Sequence, residues 1–306
     1  MAVFLTCCHW VIAADDKPLS FDFTRDAPGE KIMIDGFRLH VDCLGEGETT
    51  VLFEAGLGGS SIEWKPIQES LSQRVRACIY DRAGYAWSDP APFPRHAREM
   101  ARESDILLSE IGADGPLILV GHSFGGFIIR ELSLIRRQSM IGMILIDASH
   151  EDQLLRLEAA AGKSMMPKGD SFVVSPIEVP ESLPENLRRK IQAFSRMRKT
   201  YSALHSEMTY FRQSAQQVKR DRVTVDYPLI VVSRGLDLYA KDKQGVEKTA
   251  IWKQLQSDLA LLSTDSKLVI AENSGHHVHT EQPQLIVEQI LSILDSHKQS
   301  QTGSEQ

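Results

Sequence analysis

The sequence predicts an α/β protein built on a mostly parallel eight-stranded sheet with helices on both faces. Short apolar runs recur at 31–34, 37–43, 50–54, 75–80, 117–121, 141–146, 228–233 and 267–271. Helix-compatible segments near 62–72, 97–111, 124–137, 247–263 and 281–297 fall between most of them. Strands alternating with helices call for a parallel sheet covered on both sides. A chain of 306 residues, 42% of them apolar, is long enough to bury such a core.

The elements can be taken in order. The first two runs are separated only by Asp35-Gly36, a hairpin signal, so the sheet should begin antiparallel. The run Thr50-Val51-Leu52-Phe53-Glu54 leads into Ala55-Gly56-Leu57-Gly58-Gly59-Ser60-Ser61, where the glycines let backbone come close to a ligand atom. Glu54 receives no role from the sequence. The strand at 75–80 ends in Asp81-Arg82, which is read as a buried ion-pair turn holding the neighbouring loops.

The run Leu117-Ile118-Leu119-Val120 is followed by Gly121-His122-Ser123-Phe124-Gly125 and then by a helix-compatible stretch. Strand, Gly-x-Ser-x-Gly, helix is the context of a nucleophile elbow, in which a tight turn pushes the serine hydroxyl out of the sheet. The helix that starts there aims unpaired N–H groups and the positive end of its dipole at the same point.

A serine hydroxyl needs a base, and the base needs an orienting acid. In this arrangement the partners follow as carboxylate, then histidine. Asp237, in the turn after the strand at 228–233, is the candidate acid; Asp147, ending the strand at 141–146, is the alternative. Among His276, His277 and His279, the one directly after Gly275 is the candidate base, with His277 as fallback. No Cys or carboxylate set with ligand spacing accompanies these histidines, so no metal is read there. Two preorganised N–H donors complete the chemistry. They are assigned to Phe124, just after the serine, and to Leu57, by its position after Gly56.

Residues 151–224 break the alternation. Four prolines are followed by a helical pattern through Leu187, Ile191, Phe194, Tyr201, Leu204, Met208 and Phe211. Inserted after Asp147, this stretch is expected to cap the serine, exclude water and shape the substrate pocket. Ten Lys and Arg stand against four Asp and Glu between Glu181 and Arg222, in a chain of formal charge −7. A solvated helix face accounts for that run. An acidic chain without a recognised motif gives no support for nucleic-acid binding. No apolar run is long enough for a stable membrane span.

The resemblance carried by Ala55–Ser61, by Tyr80-Asp81-Arg82-Ala83-Gly84-Tyr85-Ala86-Trp87-Ser88, by Gly121–Gly126, and by Ser274-Gly275-His276 with Glu281-Gln282-Pro283 is to the α/β-hydrolase superfamily. Within it the chain looks like the group with a helical cap. Ala86 stands where the pattern usually has glycine. The resemblance implies a Ser123-Asp237-His276 triad, an oxyanion hole at Leu57 and Phe124, no cofactor, and a small-molecule acyl substrate. The serine argues against the dehalogenase and epoxide hydrolase branches, whose nucleophile is an aspartate. An aminopeptidase resembling the proline-releasing type would need an acidic anchor for a free amine, and Glu207 is the mid-helix carboxylate in the cap. A catalytically silent, hydrolase-like binding module is the reading from another class.

The domain reading follows. Residues 21–150 and 225–297 form the core, 151–224 the cap, and 298–306 a frayed tail. Residues 1–20 are a candidate export signal or a disordered N-terminus, since Ala2 to Ala14 is uncharged and mostly apolar and ends in small residues. The protein is therefore read as exported, with a cytoplasmic enzyme as the alternative. Cys43 and Cys78 fall on strands that are neighbours in the expected sheet order. Buried free thiols are the expectation there, with a disulfide between the two as the alternative if the protein is exported to an oxidising compartment.

Overall fold

A computed structural model describes residues 27–162, 179–239 and 241–303. The expected export segment lies outside the described residues. Eight strands form one sheet: β1 (Glu30–Ile34), β2 (Phe37–Leu44), β3 (Thr50–Glu54), β4 (Arg76–Tyr80), β5 (Leu117–His122), β6 (Met140–Ile146), β7 (Leu229–Arg234) and β8 (Ser266–Ala271). Their spatial order is β1-β2-β4-β3-β5-β6-β7-β8. β1 pairs antiparallel with β2, and β2 antiparallel with β4. From β4 to β8 every pairing is parallel. The Asp35-Gly36 turn takes positive φ at both residues, 45° and 93°, as a two-residue hairpin requires.

Helices cover both faces: α1 (Lys65–Leu71), α2 (Ala97–Glu110), α3 (Gly125–Ile135), α8 (Lys243–Ala260), a short α9 (Val278–Glu281) and α10 (Pro283–Gly303). One apolar layer joins β2, β5 and β6 to α2 and α3 through residues such as Leu39, Leu119, Leu107 and Ile128, all fully buried. The other packs Phe53, Val120 and Ile144 against Trp64, Ile67, Ile286 and Ile290. Strands buried on both faces read as continuous apolar runs, which is why they were legible in sequence.

Between β6 and β7 the chain inserts α4 (Gln153–Ala161), α5 (Glu185–Ser195), α6 (Arg198–Thr209) and α7 (Phe211–Arg220). The helical pattern expected as one long run is thus three helices, broken around Arg196–Met197 and at Tyr210. The insertion does not pack only on itself. The Phe211 ring lies 5.6 Å from Phe124 and 5.5 Å from Phe127. Phe194 meets Trp87 edge-on at 4.9 Å, and the Ala203 methyl would lie 2.6 Å from any Cβ at Gly84. Tyr201 alone of the predicted stripe is exposed.

Two expectations change. The C-terminal helix runs on to Gly303, past the point where polar composition suggested fraying. Its buried first half, with Ile286, Ile290 and Leu294, nucleates it, and extension costs little after that. Cys43 and Cys78 face each other in the β2–β4 register and are joined as a disulfide.

Candidate active site

Ser123 sits directly after β5 with φ of 50°. A side-chain-bearing residue in that region is strained and persists only where its surroundings hold it. Here they do. Ser123 N–H donates to the Ile146 carbonyl at 3.0 Å, and its own carbonyl accepts from Ser149 at 2.9 Å. The flanking glycines are demanded by crowding. A Cβ on Gly125 would stand 2.6 Å from the Glu54 carbonyl oxygen, and one on Gly121 2.8 Å from Ile129 Cδ1. The serine is the half-buried residue of an otherwise buried turn. Its hydroxyl makes no hydrogen bond among the described residues, and the bonds of a resting site commonly tighten only around substrate.

Asp147 occupies the equivalent place on the next strand. His122 and Ile146 are register partners, so Ser123 and Asp147 are the first residues beyond two adjacent parallel strands. Asp147 also has positive φ, 39°. Its carboxylate is fully buried and accepts from His276 Nδ1 at 2.6 Å, Arg234 Nη1 at 2.6 Å and Trp252 Nε1 at 2.8 Å. Burial alone would push its pKa up. The His276 bond, the Arg234 charge and the Trp252 donor outweigh burial and hold it below the usual value.

His276 lies in the loop between β8 and α9. Gly275 N–H donates to Glu281 at 2.6 Å and fixes that loop. An ionised carboxylate only accepts, so the bond to Asp147 puts the proton on Nδ1 and leaves Nε2 as the basic nitrogen.

Asp237, the acid expected from sequence, is not brought to His276. Its side chain is 55% exposed and faces Lys253 Nζ at 3.5 Å. It lies three residues beyond the end of β7, on the solvent side of the turn. The place beside His276 is filled from β6, one strand nearer the serine. A usable signal was present: Asp147 directly abuts a seven-residue apolar strand, whereas Asp237 follows Gly235 in a turn that aspartate commonly enters for local reasons.

The loop after β3 faces the serine. A Cβ on Gly56 would lie 3.2 Å from Ser123 Cβ. Neither Leu57 N–H nor Phe124 N–H is bonded to an acceptor among the described residues. Both are therefore available donors.

Beneath that loop is a charged cluster that sequence reasoning missed. Arg82 is 3% exposed. It donates to Glu54 Oε1 at 2.7 Å, to Glu207 Oε1 and Oε2 at 2.8 and 3.0 Å, and to the carbonyls of Ala55 and Gly56 at 2.6 and 2.8 Å. Tyr85 adds a bond to Glu207 at 2.9 Å, and Tyr80 bonds Glu54. Burial raises the Glu54 pKa against the opposing pull of Arg82. The Asp81-Arg82 turn is structural as expected, but the two residues use different partners. Asp81 accepts from His40 Nδ1 and Ser61 N–H, both at 2.8 Å. Glu207 is spent on Arg82 and Tyr85.

His122, His277, His279 and Glu63 bring ligand-type atoms within 4.8 Å of one another, so a carboxylate does accompany the histidine cluster in space. His122 Nε2 donates to the His276 carbonyl at 2.9 Å, and His279 Nε2 to Glu63 at 3.2 Å. Burial, then the neighbouring imidazoles, hold the His122 pKa well below its ordinary value, so its ring is neutral.

An eight-stranded sheet of this order, with a serine turn after β5 and an Asp–His pair beside it, is the architecture of an α/β hydrolase. The chain belongs to the alpha/beta hydrolase family, whose model matches residues 51–289. It is 27% identical over 257 residues to the uncharacterized protein YqjL of Bacillus subtilis, covering 83% of this chain and 87% of that one. Among solved structures it is similar to a thermophilic esterase from Thermogutta terrifontis, with a TM-score of 0.62, 20% identity, and coverage of 87% of this chain and 98% of that chain. The epoxide hydrolase CorEH superposes with a TM-score of 0.64 at 16% identity, covering 87% and 98%. At such identities the structural likeness speaks for the fold alone.

Proposed function

We propose that the protein is a serine hydrolase that cleaves a carboxylic ester, or a related acyl bond, of a small or medium substrate. The observation that carries this reading is the 2.6 Å bond from His276 Nδ1 to buried Asp147, beside a serine held at positive φ on the adjacent strand. His276 Nε2 takes the Ser123 proton as Oγ bonds the carbonyl carbon and the carbonyl electron pair moves to oxygen. The N–H groups of Leu57 and Phe124 stabilise that oxyanion. Its collapse expels the alcohol, which takes the proton from Nε2 and leaves an acyl-serine. Water then gives its proton to Nε2 and attacks the acyl carbon; the Oγ–C bond breaks and the proton returns to Ser123. Asp147, in place of Asp237, orients His276 and stabilises its charged form. The helical insertion acts as a cap that limits water at the acyl centre.

The aminopeptidase reading loses its support, because the carboxylate it requires is bound to Arg82 and Tyr85. The family includes epoxide hydrolase folds, yet this elbow carries a serine. The test is labelling with a fluorophosphonate probe beside a screen of p-nitrophenyl esters and aminoacyl anilides. Ser123 should label and esters should turn over. Ser123→Ala should abolish both. Labelling elsewhere, or turnover that survives the substitution, overturns the proposal.

A further inference from the structure

We infer that Arg82 is a positioning residue for the oxyanion hole, and that Glu207 latches it from the inserted helix α6, so that seating of the cap sets the hole. The inference rests on the acyl-transfer reading above and adds to it a specific coupling.

The argument starts from the planarity of the peptide. In a trans peptide the carbonyl and the N–H point in opposite directions. The Gly56 carbonyl accepts from Arg82 Nη2 at 2.8 Å. The N–H of the same peptide unit belongs to Leu57, so it points away from Arg82. The preceding unit is fixed in the same sense, because the Ala55 carbonyl accepts from Nη1 at 2.6 Å. Arg82 makes five such bonds from one planar fork, two of them to successive carbonyls; an ammonium has three donors at one atom and cannot satisfy that set. Within the loop the Gly56 carbonyl is held only by a 3.2 Å bond from Gly59 N–H, and the glycines at 56, 58 and 59 put up little steric resistance to a peptide flip once the Arg82 bonds are lost. A flipped Gly56–Leu57 unit would present a carbonyl oxygen where a donor is needed.

Arg82 is itself held by two carboxylates on different parts of the fold. Glu54 ends β3, within the sheet. Glu207 belongs to α6 and grips both Nε and Nη2. The same helix is fastened to the turn that carries Arg82: Lys199 Nζ donates to the carbonyls of Ala86 and Ser88 at 2.6 and 2.7 Å. Displacement of α6 would therefore remove half of the Arg82 clamp and free the carbonyls that fix the hole. Glu207 is fully buried, so this is not an incidental surface pair.

The test uses the full chain and one fluorophosphonate probe, read as kinact and KI, with thermal unfolding measured in parallel. Arg82→Lys keeps the charge but loses the fork. Its kinact should fall about 10–100-fold, approaching the loss from deleting one hole donor, with KI within about twofold. Glu207→Gln should move kinact in the same direction by a smaller factor. Arg95→Lys is the control. Arg95 and Glu103 form another buried pair whose side-chain bonds touch neither the loop nor Arg82; lysine keeps the positive charge that Arg95 presents to Glu207 and the backbone bond to Ser206, so this variant should unfold at a lower temperature yet label at the wild-type kinact. Folded Arg82→Lys protein that labels at the wild-type rate overturns the inference while leaving the hydrolase reading intact. So does an Arg95→Lys variant that loses kinact as severely, since the effect would then be general loosening. A wild-type chain in which Ser123 never labels overturns both.

Discussion

His276 Nδ1 lies 2.6 Å from Oδ2 of Asp147, a residue 129 positions away in the chain and fully buried at the end of β6. The bond fixes the tautomer of the imidazole. It also joins the last loop of the fold to the strand adjacent to the serine, so Asp147 and His276, the partners proposed for Ser123, form one unit across β6, β7 and β8. Arg234, at the end of β7, completes it with a 2.6 Å bond to the same carboxylate oxygen.

From this follows a contrast between two aspartates. Asp147→Asn keeps the shape but can leave the imidazole in the wrong tautomer, and it should lower the labelling rate and turnover by about 10³–10⁴-fold. Asp237→Asn changes an exposed group that, among the described residues, pairs with Lys253 alone and should stay within about twofold. Asparagine is the informative choice, because alanine at 147 would strand the Arg234 charge in a buried site. Equal losses in the two variants would refute the assignment of Asp147.

The placement of Asp237 away from His276 shows where the sequence stops being informative. Strands, helices and the serine turn are local, and their apolar runs and glycines carry them. The identity of the acid depends on which of two strand ends lies beside His276, and that is set by the long-range order β5-β6-β7-β8. Both aspartates follow apolar strands, so the sequence alone separates them weakly. The Glu54–Arg82–Glu207 cluster is harder still. Its three members are separated by 28 and 125 positions, and nothing in a local pattern says that three charges will share one buried site. Glu63 meeting His279 over 216 positions is a further case. By contrast, the hairpin at Asp35-Gly36 was legible from its turn residues, and once strands were placed Cys43 and Cys78 fell on neighbouring ones, although their bond was not legible.

A second prediction concerns acid stability. Glu151 is buried against Arg130, with a 2.7 Å bond. Burial pushes its pKa up, but the Arg130 charge and hydrogen bond prevail and lower it to about 2. A depressed folded pKa stabilises the fold fully above the unfolded value of 4.5 and loses that contribution as pH falls towards about 2. At 1.36 kcal/mol per unit this is worth about 3 kcal/mol at neutral pH. Glu54, Glu103 and Glu131 have raised values and act in the opposite sense, favouring the fold below their unfolded pKa. The difference between wild type and Glu151→Gln isolates the one group. Urea unfolding should show a gap at pH 7 that shrinks steadily between pH 4.5 and 2.5. A gap that widens over that interval would contradict the sign.

The disulfide gives a third prediction. Cys43 and Cys78 close a loop with a sequence separation of 35. Loop-closure entropy for a cross-link of that length amounts to about 4 kcal/mol in the chain-entropy model. Reduction should therefore lower the unfolding temperature by several degrees, and Cys43→Ser with Cys78→Ser should reproduce the shift. Alkylation without reductant followed by mass measurement should find both sulfurs protected. Two alkylated cysteines at these positions would remove the bridge.

The last prediction joins packing to chemistry at Gly56. A methyl group there would lie 2.9 Å from His122 Nδ1 and 3.2 Å from Ser123 Cβ. The usual relief for such a clash is movement of a flexible side chain, but the His122 ring has little freedom. Its Nε2 is tied to the His276 carbonyl at 2.9 Å, and its face lies 4.3 Å from the ring of His279, itself bonded to Glu63. Pushing His122 aside therefore pulls on the backbone of His276, and moving the loop instead displaces Leu57. Either response reaches the atoms proposed to react. Overpacking of this kind costs about 1–3 kcal/mol, which a fold of this size should survive. Gly56→Ala should then remain folded by circular dichroism while its labelling rate drops by about 10–100-fold, the scale of a hole donor or base shifted out of line. Wild-type labelling in folded Gly56→Ala protein would mean that His122 and the loop can yield without disturbing Ser123 or His276, and that the rigid contact described here does not exist.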